Sequence, residues 1–193
     1  MALLTKMADT IDLSGVLNMQ RLIDSIPAKR DQVIQRTKST LARKLPVEAR
    51  RDMQGEVILT AARISAGLSC TQTSDGVILT GAGRAIGMIN VPYTSAGRAP
   101  GGVTARPYVQ GAPVIAKNAF VAIGANGNKQ IFQRNGVKVR QTSGKYAGQL
   151  REGIKPLYAP SVAAQLRHGD RAERLADFAG TVLHDESERL LDG

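Results

Sequence analysis

The side chains that most often do chemistry are sparse in this chain. There are two histidines and one cysteine in 193 residues. His168 and His184 lie near the C-terminal end, outside any Cys/His/carboxylate pattern of the zinc-site kind, so no metal centre is expected. Cys70 has no second cysteine with which to form an internal disulfide, which is compatible with a reducing cytoplasm. It reads as a small, half-buried strand residue rather than a nucleophile. Gly81, Gly83 and Gly87 follow G-x-G-x-x-x-G, one residue too long for a dinucleotide fingerprint, and their surroundings read as strand. Gly124, Gly127 and Lys129 lie too close together for a phosphate loop, and Gln130 stands where a Ser or Thr should meet magnesium. Between Gly76 and Arg151 there is no carboxylate at all, so a paired-carboxylate hydrolase or two-metal nuclease would have to draw its acids from the chain ends. These observations assign no catalytic, cofactor-binding or metal-binding residue, and no cofactor is expected.

Charge is the more informative property. Lys and Arg number 26 against 16 Asp and Glu, a net charge of +10, which favours polyanionic neighbours. The three Phe, four Tyr and absent Trp argue against modules that stack single-stranded bases on aromatic rings. A protein that touches a phosphate backbone, or no nucleic acid, fits better. Met1-Ala2-Leu3-Leu4 is too short an apolar run for a signal peptide, with Lys6 and Asp9 close behind. No stretch approaches the ~18 apolar residues of a membrane span, so no membrane partner is expected and synthesis in a cytoplasm is.

The elements that would carry these charges can be read in order. Residues 1–24 form either an N-terminal helix or an arm that orders on a partner. Ser25 and Pro27 suit a helix start, and Ile26, Val33, Ile34, Thr37 and Leu41 fall on one face. Pro46 is expected to end this helix, with a short second helix over 47–54. Ile64, Ala66, Leu68 and Cys70 alternate as in a strand, Ser74-Asp75-Gly76 is a turn, and Val77–Leu79 begin the next strand. Residues 92–113 hold four prolines and four glycines and read as a long loop. A hairpin is expected from 114–123, Asn126-Gly127 and 129–134, extended by Val137 and Val139. Tyr158-Ala159-Pro160-Ser161 opens a short helix to about Leu166. Asp170 and Glu173 have capping-box spacing before a last helix whose apolar face is Leu175, Phe178, Ala179, Val182, Leu183 and Leu190. The expected fold is α+β, a mostly antiparallel β-sheet packed against N-terminal helices and a C-terminal amphipathic helix. Residues 25–193 are expected to form a single domain.

The two ends of this fold differ in sign. The ten basic residues between Gly76 and Arg151 face no acid in that span, whereas the segment 170–192 carries seven acids and three bases. Such complementary surfaces could meet within one monomer, or join neighbours head to tail.

An ordered series of short patterns over residues 26–191 resembles the minor tail protein Z, or tail completion, family of long-tailed bacteriophages. It begins with a basic helical segment ending in Leu45-Pro46-Val47 with Arg50-Arg51. A Gly/Arg-rich strand region and the Pro/Gly-rich stretch follow. Asn118-Ala119-Phe120-Val121-Ala122, Gln130-Ile131-Phe132-Gln133-Arg134 and Ile154-Lys155-Pro156-Leu157-Tyr158-Ala159-Pro160-Ser161-Val162 come next, then an amphipathic helix. Ala159 replaces the glycine typical of the family before Pro-Ser. The resemblance implies a structural protein of the virion, not an enzyme, at the head-proximal end of the tail. There it implies a homo-oligomeric neck ring, a hexamer, that contacts neighbouring tail and neck proteins, helps join head to tail and lets the genome pass. DNA contact in such a channel would be non-specific, through phosphates.

Two sets of contact residues follow from charge. Arg98, Arg106, Lys129, Arg134, Lys138 and Arg140 are the candidate basic surface for DNA or an adjacent ring. Glu173, Asp177, Asp185, Glu186 and Glu188 are the candidate acidic subunit-contact helix. The alternative expectation is a monomeric accessory protein that binds nucleic acid through its phosphate backbone.

Overall fold

The computed structural model describes residues 9–12, 30–95, 102–124 and 126–191, with the side chains of 9–12, 30 and 191 left aside. The fold is a mixed α+β arrangement of helices and several antiparallel sheets. The expectation of one main sheet is corrected to four small ones among the described residues. The start of the first helix at Ser25 and the arm at 1–24, apart from 9–12, lie outside the described residues. The chain forms two compact units. The first comprises residues up to Gly55, Thr60–Arg84 and Pro160 onward; the second comprises Glu56–Leu59 and Ala85–Ala159.

In the first unit, strand β1 (Asp9–Asp12) and strand β2 (Leu68–Gln72) flank β3 (Val77–Gly81), all antiparallel. Helix α1 runs unbroken from Arg30 to Glu56 with Pro46 inside it, so Pro46 does not end the helix. The reason lies in the buried stripe. Val33, Thr37, Leu41, Leu45, Ala49 and Met53 recur every fourth residue and are all at most 3% exposed. A mid-helix proline costs roughly 3 kcal/mol. Burying Leu45 and Met53 on either side of it contributes about 1.5–3 kcal/mol each, which offsets that cost.

Helix α2 (Ala61–Ala66) occupies part of the span whose alternation suggests a strand; only Leu68 and Cys70 of that pattern are extended. Helix α3 (Val162–Leu166) is capped by Ser161, whose hydroxyl accepts from the Ala164 N–H at 3.2 Å. It lies directly on β3. A Cβ at Gly81 would come within 2.7 Å of Leu166 Cδ1 and 2.8 Å of Ala163 Cα, and one at Gly67 within 2.5 Å of Val162 Cγ2. Helix α4 (Arg171–Leu191) buries Leu175, Ala179, Val182 and Leu183, with Phe178 and Leu190 half-buried.

The second unit holds three sheets. Strand β4 (Ile86–Gly87) leads into a 3-10 turn over Met88–Asn90 and pairs with β11 (Tyr158–Ala159). Strands β5 (Tyr93–Ser95), β6 (Val103–Ala105) and β7 (Val114–Ala116) form a meander, so the described part of 92–113 is not one loop. Asn118, at φ 58°, turns the chain into β8 (Ala119–Ile123). The third sheet is β8, β9 (Lys129–Arg140) and β10 (Leu150–Pro156). The span 114–123 is therefore two strands of two sheets, while the hairpin through Asn126-Gly127 and its extension through Val137 and Val139 are present. Val103, Ala105, Ala116, Ala119 and Ile131 are buried in this unit.

Candidate interaction surfaces

Strand β9 is twelve residues long, but β8 pairs only with Lys129–Gln133. From Arg134 onward β9 has a single neighbour, β10, and the two form a ribbon that turns at 141–149. Every β9 residue from Arg134 to Arg140 is exposed. So are Val137 (62%), Leu150 (61%) and Ile154 (50%). A two-stranded ribbon without a covered face is marginal by itself.

Local features shape it. Register shifts between Glu152 and Ile154, where Asn135, Gly136 and Val137 bulge opposite Gly153. Gly136 takes φ 76°, and its N–H donates to Glu152 Oε1 at 3.0 Å. Arg134 Nη1 lies 3.7 Å from Glu152 Oε2. At the turn, Arg140 Nη1 donates to the Gly148 carbonyl at 2.9 Å, and the Arg151 guanidinium stacks 3.9 Å from the Tyr146 ring centre.

The base of the ribbon gathers residues of the resemblance. Phe120 and Phe132 are cross-strand partners with ring centres 6.2 Å apart, and the Arg134 guanidinium sits 5.1 Å from the Phe120 ring centre. The Arg134 N–H donates to the Asn118 carbonyl at 3.3 Å. The Ala-Phe and Phe-x-Arg patterns thus form one packed corner where the ribbon leaves the sheet.

Of the basic candidates, Lys129, Arg134, Lys138 and Arg140 share β9, Arg106 is exposed just past β6, and Arg98 lies outside the described residues. Of the acidic ones, all five are on α4. Glu173, Asp177 and Asp185 are exposed and their carboxylates have no hydrogen-bond or ion-pair partner among the described residues, although the Asp177 carbonyl accepts from Thr181 Oγ1 at 3.1 Å. Glu188 lies 3.3 Å from His184 Nε2, an i,i+4 pair that spacing alone could have suggested. Glu186 is occupied internally. It accepts from Arg189 Nη2 at 2.6 Å and from Thr40 Oγ1 at 3.1 Å, and the Arg189 hydrogen bonds, with that of Thr40, hold its carboxyl below the usual range. It lines an open cleft of about 330 Å³ with Gln35, Arg36, Ser39, Arg43 and Arg189.

A buried ionic latch went unread in the sequence. Arg171 is fully buried, and its Nε donates to Asp52 Oδ2 on α1 and its Nη1 to the Gln165 carbonyl on α3. Arg174 donates to both Asp52 oxygens, at 3.0 and 2.9 Å. Burial pushes the Asp52 pKa up, but the hydrogen bonds and charges of Arg174 and Arg171 outweigh it and hold the carboxyl below its ordinary value. Asp52 and Arg171 are 119 residues apart, so no local pattern marks them.

Two features bear on chemistry directly. Burial raises the Cys70 thiol pKa, which lowers its thiolate fraction at neutral pH. Among the described residues no group of three His, Cys, Asp or Glu could hold a metal ion, and no helix is long and apolar enough to cross a membrane. No protein-family model, curated protein or solved structure matches this chain.

Proposed function

We propose that this chain is a structural subunit that assembles with copies of itself into a ring. The resemblance in residues 26–191 supports placing that ring at the head-proximal end of a phage tail. There it acts in tail completion and head joining, as a hexamer through which the genome passes, carried in the virion and made in the host cytoplasm. In this reading the helices cover the sheet of the first unit, and the second unit carries a surface that meets neighbours.

The observation that carries the reading is the β9–β10 ribbon. It exposes Val137, Val139, Leu150 and Ile154 together on a two-stranded element. Isolated hairpins are marginal in water, so a partner that covers this one adds most of the missing apolar burial. The uncompensated cations of β9 favour one other reading, a monomer that binds duplex DNA through phosphates.

Negative-stain imaging of the purified protein, with a DNA-binding titration in rising salt, separates the two. Closed rings with a central opening are expected. Single particles together with steeply salt-sensitive DNA binding would favour the monomeric reading instead.

A further inference from the structure

Two exposed surfaces of opposite sign face water in this structure. Residues directly opposite each other in a ladder share a face of the sheet. One face of the ribbon therefore carries Arg134 beside Ile154, Lys138 beside Glu152 and Arg140 beside Leu150. Glu152 is engaged by Arg134 and the Gly136 N–H, which leaves the charges of Lys138 and Arg140 to the solvent. The second surface is the outer strip of α4. Glu173, Asp177, His184 and Glu188 fall on it by their three- and four-residue spacing, and all are exposed. Glu173 and Asp177 stand one turn apart and repel each other. Between Asp177 and Glu188 the strip dips at Gly180 and Thr181, and a Cβ at Gly180 would meet nothing within 4 Å.

Resting on the ring reading, we infer that this ribbon face docks head to tail on the α4 strip of a second copy of the chain. Lys138 and Arg140, two residues apart on one strand, meet Glu173 and Asp177, one turn apart on the helix, and Leu150, beside Arg140, lies next to the low saddle at Gly180 and Thr181. Charge complementarity selects this occupant. DNA would match the two cations, but it has no use for the apolar Leu150 and Ile154 on the neighbouring strand. An interface between unlike surfaces of identical chains can close into a ring.

Mixing in trans tests this. The Lys138→Glu/Arg140→Glu variant puts like charges on both surfaces, and so does Glu173→Lys/Asp177→Lys. Each alone is expected to lose self-association by about tenfold or more, read by analytical ultracentrifugation at low salt. An equimolar mixture restores it, because each interface in an alternating assembly then joins opposite charges. Wild-type association by either variant alone, or no recovery in the mixture, would overturn the inference. A wild-type chain that never associates would overturn the ring reading itself. Gly180→Gln supplies an uncharged check: the helix keeps or gains stability while association weakens. Unchanged association in that variant would contradict the seating beside Gly180.

Discussion

Replacing Asp52 with Ala probes how the first unit is locked. The substitution removes the Asp52 carboxylate from the Arg171 guanidinium, 0% exposed, at the N-terminus of α4, where the helix dipole already disfavours a cation. Breaking a buried pair by removing one partner costs about 3–5 kcal/mol. Asp52 keeps 21% of its side chain in water, which screens its attraction for the guanidinium, so the lower end, about 3 kcal/mol, is expected. For a chain of this size that is a fall of roughly 6–12 °C in Tm. Replacing both partners, Asp52→Ala with Arg171→Met, removes the buried cation as well and is expected to recover more than half of the loss. Far-UV circular dichroism during urea unfolding is the assay. The four helices among the described residues belong almost wholly to the first unit, so their signal reports on it. The same pair sets an acid limb. A carboxyl whose pKa is lowered on folding stabilises the protein above its unfolded value, 3.8, and that contribution is lost as pH falls below it. Asp52→Asn flattens this limb. A single-variant loss below about 1 kcal/mol, or strict additivity in the double variant, would refute the reasoning.

Two further substitutions test packing and the ribbon. Gly81→Ala forces a methyl against Leu166 and the Ala163 backbone, so a loss of about 1–3 kcal/mol is expected in the same urea assay; a neutral result would mean that α3 does not rest on β3 as described. Gly136→Ala places a side chain at φ 76°, which costs roughly 1–2 kcal/mol locally. Hydrogen exchange should quicken along 134–154 while the amides of α1 stay protected, and uniform loss of protection would contradict the separateness of the ribbon.

The parts of the fold that could be read from sequence were those with local signals. Ser161 announced the cap of α3, Asn126-Gly127 the β8–β9 connection, and the Leu175 to Val182 spacing the buried face of α4. Pro46 misled because a local penalty was weighed without the stripe running on through Ala49 and Met53. Ile64 and Ala66 fitted an alternating pattern, yet in so short a window a single helical turn and a strand are not separable by period. The return strand β10 was missed because Gly153 and Pro156 are poor strand residues, and its pairing depends on the bulge at Gly136. Surface charge was legible as sign but not as use. Of the five acids on α4, Glu186 turned out to be tied to Thr40 and Arg189, whereas Glu173, Asp177 and Asp185 remain open to solvent.

Assembly through the ribbon is read out by the mass of the protein in solution. The 20.5 kDa chain should sediment as a closed multimer, about 123 kDa for the hexamer, across a concentration series. A variant with 135–152 replaced by a two-residue turn should sediment as a monomer with its helical signal intact. A wild-type protein that stays monomeric throughout the series, or a trimmed protein that still forms the multimer, would contradict the account.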